Sequence, residues 1–245
     1  MTKFQILLLI ISTLLTACNA ETSSKNHNQT ISKESKKIEP YSCRNGFFPA
    51  SEEIHLAHIK IAPNARSYFY DDGEKCPYQS SCKQKAYIIN GDELLVAQQQ
   101  DGWSCVWYQG KRHEFVGWMK SKNIALDSTP PATLQSWIGE WRYYNSDSVI
   151  EISKFKNQQL KISGEAIWHG AYDNTHSGYL DGIAKPSGNQ LTLIDNKEDF
   201  GCRATMRLIG KYLAVYDNHE CGGMNVNFDN IYLKKSHKKG KPHGK

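Results

Sequence analysis

Between Leu134 and Leu233 the apolar residues come in short runs, and turn-forming residues cut each run before it could complete a helix. Eight such runs can be counted: Trp137 to Tyr144, Val149 to Phe155, Leu160 to Trp168, Gly178 to Ala184, Gln190 to Asp195, Cys202 to Ile209, Tyr212 to Asp217 and Val226 to Leu233. Asn145-Ser146-Asp147, Lys156-Asn157 and Pro186-Ser187-Gly188-Asn189 supply breaks between them. Several alternate cleanly. Leu160, Ile162, Ala166 and Trp168 share one face of a strand, with Lys161, Ser163 and Glu165 on the other. Cys202, Ala204, Met206 and Leu208 likewise oppose Arg203, Thr205 and Arg207. Consecutive antiparallel strands with short links predict an up-and-down barrel or a strongly curled meander.

The stretch from residue 41 to 127 has the same texture. Ala86 to Ile89 and Glu93 to Ala97 flank Asn90-Gly91-Asp92, Trp103 to Tyr108 follows Asp101-Gly102, and Phe115 to Met119 follows Gly110-Lys111. The chain is therefore expected to be all-β, with a small barrel before the eight-stranded unit. Residues 128–133, with Pro130 and Pro131 adjacent, read as a stiff linker between the halves.

The N-terminus points to export. Met1 to Lys3 carry a positive charge, Phe4 to Leu15 form an apolar run too short to span a bilayer comfortably, and Leu15-Thr16-Ala17-Cys18 follows. This ending resembles the lipobox of bacterial lipoproteins. The resemblance implies a signal peptide over residues 1–17 and a lipid-modified Cys18 as the first mature residue. Several acyl chains would anchor the chain without spanning the membrane. Asn19 behind the cysteine implies the outer membrane, facing the periplasm, by similarity to the sorting rule of Gram-negative lipoproteins. Residues 18–40, rich in Ser, Asn, Lys and Glu, read as a flexible tether.

Charge distribution narrows the partners. Six lysines in the last twelve residues, together with Lys3, exceed the whole net charge of +5, so the body between them is slightly acidic. Residues 234–245 read as a basic disordered tail. Nucleic-acid binding is not expected, because the positive charge is confined to that tail. Apart from Cys18 there are six cysteines, an even number in an exported chain, which predicts disulfides over a zinc site. Cys202 and Cys221 lie in the same half and are expected to pair, Cys76 and Cys82 bracket a short polar loop, and Cys43 is left for Cys105.

Two further resemblances bear on architecture. Ser67-Tyr68-Phe69-Tyr70, Lys85-Ala86-Tyr87, Gly91-Asp92, Gly102-Trp103 and Gly117-Trp118-Met119 ahead of Asn123-Ile124 resemble the bacterial Src homology 3-like domains over about 60 residues. That likeness implies a small barrel whose ligand face is lined by aromatics, with Tyr68, Tyr70, Trp103, Tyr108 and Trp118 as candidates, and a ligand such as cell-wall peptide. The first part of that pattern is replaced here by the Cys76 to Cys82 loop. In the second half, Trp137-Ile138-Gly139-Glu140-Trp141 and Cys221-Gly222-Gly223-Met224-Asn225-Val226 resemble an uncharacterised family of exported bacterial domains, from which no activity transfers. Gly139-x-Trp141 is also similar to the opening of lipocalin and avidin barrels.

The sequence contains no zinc-protease, nucleophile-elbow, phosphate-loop or paired-carboxylate signature, so no enzymatic activity, metal or cofactor is expected. His219-Glu220-Cys221 sets an imidazole beside a thiol, but a disulfide-bonded Cys221 supplies no thiolate. His169, Asp173 and His176 are expected in a long polar loop after Trp168, and His55 and His58 look incidental. These features predict a noncatalytic cell-envelope lipoprotein that binds cell-wall peptide (peptidoglycan) or a periplasmic protein. The alternative is an inhibitor or immunity protein against a lysozyme- or amidase-type hydrolase, with the acidic loop Asp195 to Asp199 facing a basic enzyme.

Overall fold

A computed structural model describes residues 43–144, 146–172, 174–195 and 201–235. Cys18, the expected signal peptide, tether and basic tail beyond residue 235, Asp173 and most of the Asp195 to Asp199 loop lie outside the described residues.

The fold is all-β, with two antiparallel sheets. The first contains seven strands: β1 (His55–Ile59), β2 (Ser67–Tyr70), β3 (Lys83–Ile88), β4 (Glu93–Gln100), β5 (Trp103–Gln109), β6 (Glu114–Lys120) and β7 (Ile124–Leu126). They are ordered β3-β2-β6-β5-β4-β1-β7. A one-turn helix α1 (Leu134–Trp137) leads into the second sheet. Its strands are β8 (Gly139–Tyr143), β9 (Val149–Lys154), β10 (Leu160–His169), β11 (Thr175–Ala184), β12 (Gln190–Ile194), β13 (Arg203–Ile209), β14 (Tyr212–Asp217) and β15 (Asn230–Lys234).

The eight strands follow the order β11-β10-β9-β8-β15-β14-β13-β12. The first strand of the meander thus pairs with the last, as in an up-and-down barrel, and the ladder is interrupted only between β11 and β12. The strands meet there through side chains: a Cβ on Gly182 of β11 would stand 2.7 Å from Leu193 Cδ1 of β12. Higher up the seam the free edge of β11 is covered by the segment around Cys221, with Tyr179 N donating to Cys221 O at 2.9 Å and Gly223 N to Ser177 O at 3.1 Å. Capping an open edge in this way prevents it from templating another chain.

Apolar side chains fill the barrel. Ile150, Ile152, Leu160, Ile162, Ala204, Met206, Leu213, Val215 and Phe228 are all buried inside it, and Trp137 and Trp141 pack in the same core, with Trp141 Nε1 donating to Trp137 O at 2.9 Å. The buried residues of the barrel thus form one apolar core.

Three local features depart from the sequence reading. Trp137 does not begin a strand: Thr133 caps a helical turn through a capping box with Ser136, and β8 starts two residues later. The run expected from Val226 is a strand only from Asn230, because Phe228 N is taken by the Asp217 carboxylate rather than by a ladder. The long loop expected after Trp168 is instead a tight hairpin. β10 extends through His169, which pairs with Thr175, and His176 lies on β11 opposite Trp168.

The two sheets share a core. One face of the first sheet encloses Ala57, Ile59, Phe69, Ile88, Leu94, Val96, Val106 and Met119. Its other face sends Leu95, Cys105, Trp107 and Trp118 against Ile209, Tyr212, Ala214 and Ile231, which are outward-facing residues of the barrel, with Cys43 and Phe48 packed in. Trp107 meets Tyr212 edge-on, ring centroids 5.4 Å apart. Polar groups frame the contact. Trp107 Nε1, Asn45 Nδ2 and Tyr143 Oη all donate to the Glu114 carboxylate at 2.8 to 2.9 Å, and Tyr212 Oη donates to Glu93 at 2.8 Å. Burial pushes Glu93 upward, but hydrogen bonds from Lys211 and Tyr212 and the charge of Lys211 bring it below the usual glutamate range. The proline segment is strapped to the barrel: Asn189 Oδ1 accepts from Ala132 N at 2.8 Å, and its Nδ2 donates to Pro130 O at 3.3 Å.

Three disulfides close the scaffold: Cys43–Cys105, Cys76–Cys82 and Cys202–Cys221. The first ties the N-terminal segment into the shared core across 62 residues, a loop for which chain entropy contributes about 4 kcal/mol.

Because Trp107 is only 2% exposed and touches both sheets, Trp107→Ala is expected to cost roughly 3–5 kcal/mol. Urea denaturation followed by circular dichroism should show one cooperative transition, shifted as a whole. Two separable transitions, with only the first moved, would show that the sheets unfold independently.

Candidate functional site

The first sheet presents part of its shared-core face beyond the area that the barrel covers. Register places the residues of this exposed part. Tyr68 of β2 lies opposite Tyr87 of β3, Tyr70 is flanked by Lys83 and Trp118, and Trp103 of β5 lies opposite Lys120 of β6. Paired residues in a sheet point to one side, so Tyr87, Tyr68, Lys83, Tyr70, Trp118, Trp103 and Lys120 form a single stripe across β3, β2, β6 and β5.

Within the stripe, rings and cations alternate. Arg66 Cζ sits 4.3 Å from the Tyr87 ring centre, and Lys83 Nζ is 3.7 Å from that of Tyr68. Tyr68 and Tyr87 are 5.7 Å apart, Tyr70 meets Trp103 edge-on at 4.6 Å, and Lys120 Nζ is 5.9 Å from the Trp103 ring. Tyr68, Tyr70 and Trp103 are half-buried, so each offers a ring face while being held by packing. Trp118 forms the floor, 1% exposed, with Nε1 donating to Asp72 at 2.8 Å; Asp72 also takes Arg44 Nε at 3.1 Å.

The loop from Asp71 to Cys82 borders the stripe. It is closed by Cys76–Cys82, and Tyr78 Oη donates to Asp101 at 3.1 Å beside the turn that opens β5. An aromatic surface fixed in advance loses little freedom on binding, which is how a modest area yields measurable affinity.

Of the five aromatics expected to line a groove, Tyr68, Tyr70, Trp103 and Trp118 come together, and Tyr108 does not. Tyr108 is five residues from Trp103 on one strand, so the pleat turns it to the opposite face, where it packs against the core of Val106 and Met119. Its hydroxyl is pushed upward by burial and by the nearby Asp92 carboxylate. The sequence reading missed Arg66, Lys83, Tyr87 and Lys120. Lys85-Ala86-Tyr87 is part of the Src homology 3-like resemblance, but only strand pairing shows that Tyr87 joins Tyr68.

The histidines are tied to local partners. His58 Nδ1 is 2.8 Å from Asp127, His55 Nε2 is 3.4 Å from Glu53, and His169 Nε2 is 3.3 Å from Asp147. His176 Nδ1 reaches Met224 O at 2.6 Å, its ring 5.3 Å from that of Trp168.

Asp217, His219 and Asp229 bring three potential metal-ligand atoms within 4.8 Å of one another. Their oxygens already have work in the backbone. Asp217 accepts from His219 N and Phe228 N, both at 2.6 Å, and Asp229 accepts from Asp217 N at 2.7 Å and meets His219 Nε2 at 2.7 Å. The group is a clasp that holds His219 at φ 62° and fixes the return to β15. A cation would have to break it.

Compared with protein-family models, with curated proteins and with solved structures, the chain matches none. No helix among the described residues is long and apolar enough to cross a membrane.

The hydrogen bond to Asp229 raises the His219 pKa above the ordinary 6.5. Asp229 is itself raised by burial, with Asp217 N and His219 pulling it back. A raised histidine contributes stability in full below about pH 6.5, and the contribution disappears as pH climbs through the folded value. The raised aspartate acts in the same direction at lower pH. Because the His219 side chain is 63% exposed, solvent keeps its contribution below about 1 kcal/mol. NMR titration is expected to place His219 above 6.5, and Asp229→Asn should return it towards that value. An unmoved titration would mean that the clasp does not form in solution.

Proposed function

We propose that this chain is a noncatalytic, lipid-anchored recognition protein of the bacterial cell envelope, and that the stripe on its first sheet docks on cell-wall peptide. The observation that carries the reading is the Tyr70–Trp103 edge pair, half-exposed and flanked by Lys83 and Lys120 on a rigid sheet. Ring faces suit an extended backbone or an aliphatic side chain, and the ammonium groups suit the carboxylates such peptides carry. Trp103 and Trp118, from the Gly102-Trp103 and Gly117-Trp118-Met119 segments on which the Src homology 3-like resemblance rests, lie on β5 and β6 within this stripe. Anchoring through Cys18 and an outer-membrane location belong to the same proposal, supported by the order of charge, apolar run and lipobox at the N-terminus.

The test is co-sedimentation of the chain from residue 19 onward with purified sacculi, over a salt series. Trp103→Ala and Tyr70→Ala are each expected to weaken binding about tenfold or more, about 1.4 kcal/mol or above. Tyr179→Ala, which removes a ring 61% exposed on the barrel, should leave it unchanged. Equal losses in all three variants, or no sedimentation at any salt concentration, would overturn the assignment. Inhibition of a lysozyme or amidase without sacculus binding would move the protein to the inhibitor class.

A further inference from the structure

A cleft of about 500 Å³ opens where the two sheets meet, separate from the aromatic stripe. The first sheet and the segments flanking it contribute Glu52, Glu53, His55 and Asp127, and the barrel contributes Asn189 and Arg207. Its volume is in the range of small-molecule sites, which favour junctions between structural units.

Arg207 sets the chemistry. Its parity on β13 turns it outward from the barrel core, and the contact with the N-terminal segment half-buries it. Its Nη1 donates to the backbone oxygens of Ser51 and, at 3.5 Å, Pro49. Among the described residues it makes no ion pair, and Glu52 acts on it only as a more distant charge. Burial lowers its pKa, which reports the cost of keeping this cation partly out of water without a carboxylate against it. A guanidinium has five N–H groups in a planar fork, so the Nε and Nη2 protons, which have no acceptor among the described residues, can grip a carboxylate in two-point fashion.

The other wall excludes a simple anion. Glu52 and Glu53 are exposed, and Asp127, held by His58 at 2.8 Å, adds a third carboxylate. A bare anion drawn to Arg207 would face three negative groups across the cleft, whereas a bare cation would meet the guanidinium. A molecule with both charges a few ångströms apart satisfies both walls.

We propose that this cleft binds a small zwitterion, a free amino acid or dipeptide, with its carboxylate on Arg207 and its ammonium towards Glu52, Glu53 and Asp127. The site does not depend on the peptide-docking stripe and would stand if that reading failed.

Calorimetry and amide chemical-shift mapping on the chain from residue 19 onward, which retains the compact unit Ile38–Lys245, provide the test. The probes are D-alanyl-D-alanine and diaminopimelate, each with its N-acetylated and C-amidated forms. The unblocked probe is expected to shift amides around Ser51, Asp127 and Arg207, and each blocked form should bind about tenfold more weakly. Arg207→Lys keeps the charge and can still reach the Ser51 carbonyl. It should keep the melting temperature within a few degrees while losing about tenfold in affinity for the carboxylate. Glu52→Gln with Asp127→Asn should weaken the unblocked probe and strengthen its N-acetylated form, a bare anion that the lost carboxylates no longer repel. Equal binding of blocked and unblocked forms would reduce the cleft to a plain charge contact and overturn the proposal. So would unmoved amides at about 10 mM of either probe, a concentration at which even a site of millimolar affinity would be mostly occupied.

Discussion

The contact between Trp107 and Tyr212 joins what would otherwise be two small β units into one body. A sheet of short strands buries little by itself, and the barrel's outer face at Ile209, Tyr212, Ala214 and Ile231 would be an exposed apolar patch without the first sheet. Joined, they exclude water from both. The same contact accounts for β4 and β14. Leu94-Leu95-Val96 and Tyr212-Leu213-Ala214-Val215 are buried without a break, because these strands have a core on each side. Carboxylates at the margin cross the junction: Glu93 of the first sheet accepts from Tyr212 of the barrel, and Glu114 accepts from Trp107 of its own sheet and Tyr143 of the barrel.

The position of the aromatic stripe follows from how much of the first sheet that junction covers. The face that packs on the barrel continues past its edge, and there the same alternating residues become a surface of rings. Trp118 is core and Trp103 is rim, although they share one face of the sheet and similar sequence contexts. A packed floor under a half-open ring is a rigid arrangement, and the disulfide-closed loop with its Tyr78–Asp101 bond stiffens the border. The stripe is therefore an extension of folding: the interactions that hold Tyr70 and Trp103 in place also stabilise the sheet. The junction cleft has the same origin, since Arg207 is desolvated only because the N-terminal segment lies across β13.

Local chemistry accounts for the barrel's details. Its one gap, between β11 and β12, falls where the chain makes its turn at Pro186-Ser187-Gly188-Asn189, and the segment around Cys221 fills the upper part of the gap. Gly178 and Gly222 permit this, because a Cβ on Gly178 would lie 2.6 Å from Cys221 O. The Cys202–Cys221 bridge and the Asp217–His219–Asp229 clasp then hold that segment down. His219 and Cys221, two residues apart in sequence, thus serve two separate structural purposes.

Much of this could be read from the chain. Alternation along Leu160–Ile162 and Ala204–Met206–Leu208, cut by turn residues, was sufficient for an all-β chain and for eight consecutive strands, because a period of two and short links leave few other folds. Cysteine spacing led to the three bridges, since each pair is near in sequence or left over by elimination. Long-range pairing was not readable. The parity that puts Tyr108 on the far side of the sheet from Trp103, the register that brings Tyr87 to Tyr68 and Lys120 to Trp103, and the burial of the barrel's outer face all depend on which strands become neighbours. The sequence by itself determined the all-β class, the count of the barrel's strands and the bridges, which are set by local periodicity and covalent chemistry. Only the tertiary structure decided which aromatics reach solvent and where Arg207 loses its water, because those outcomes depend on what each face of a strand meets across the fold.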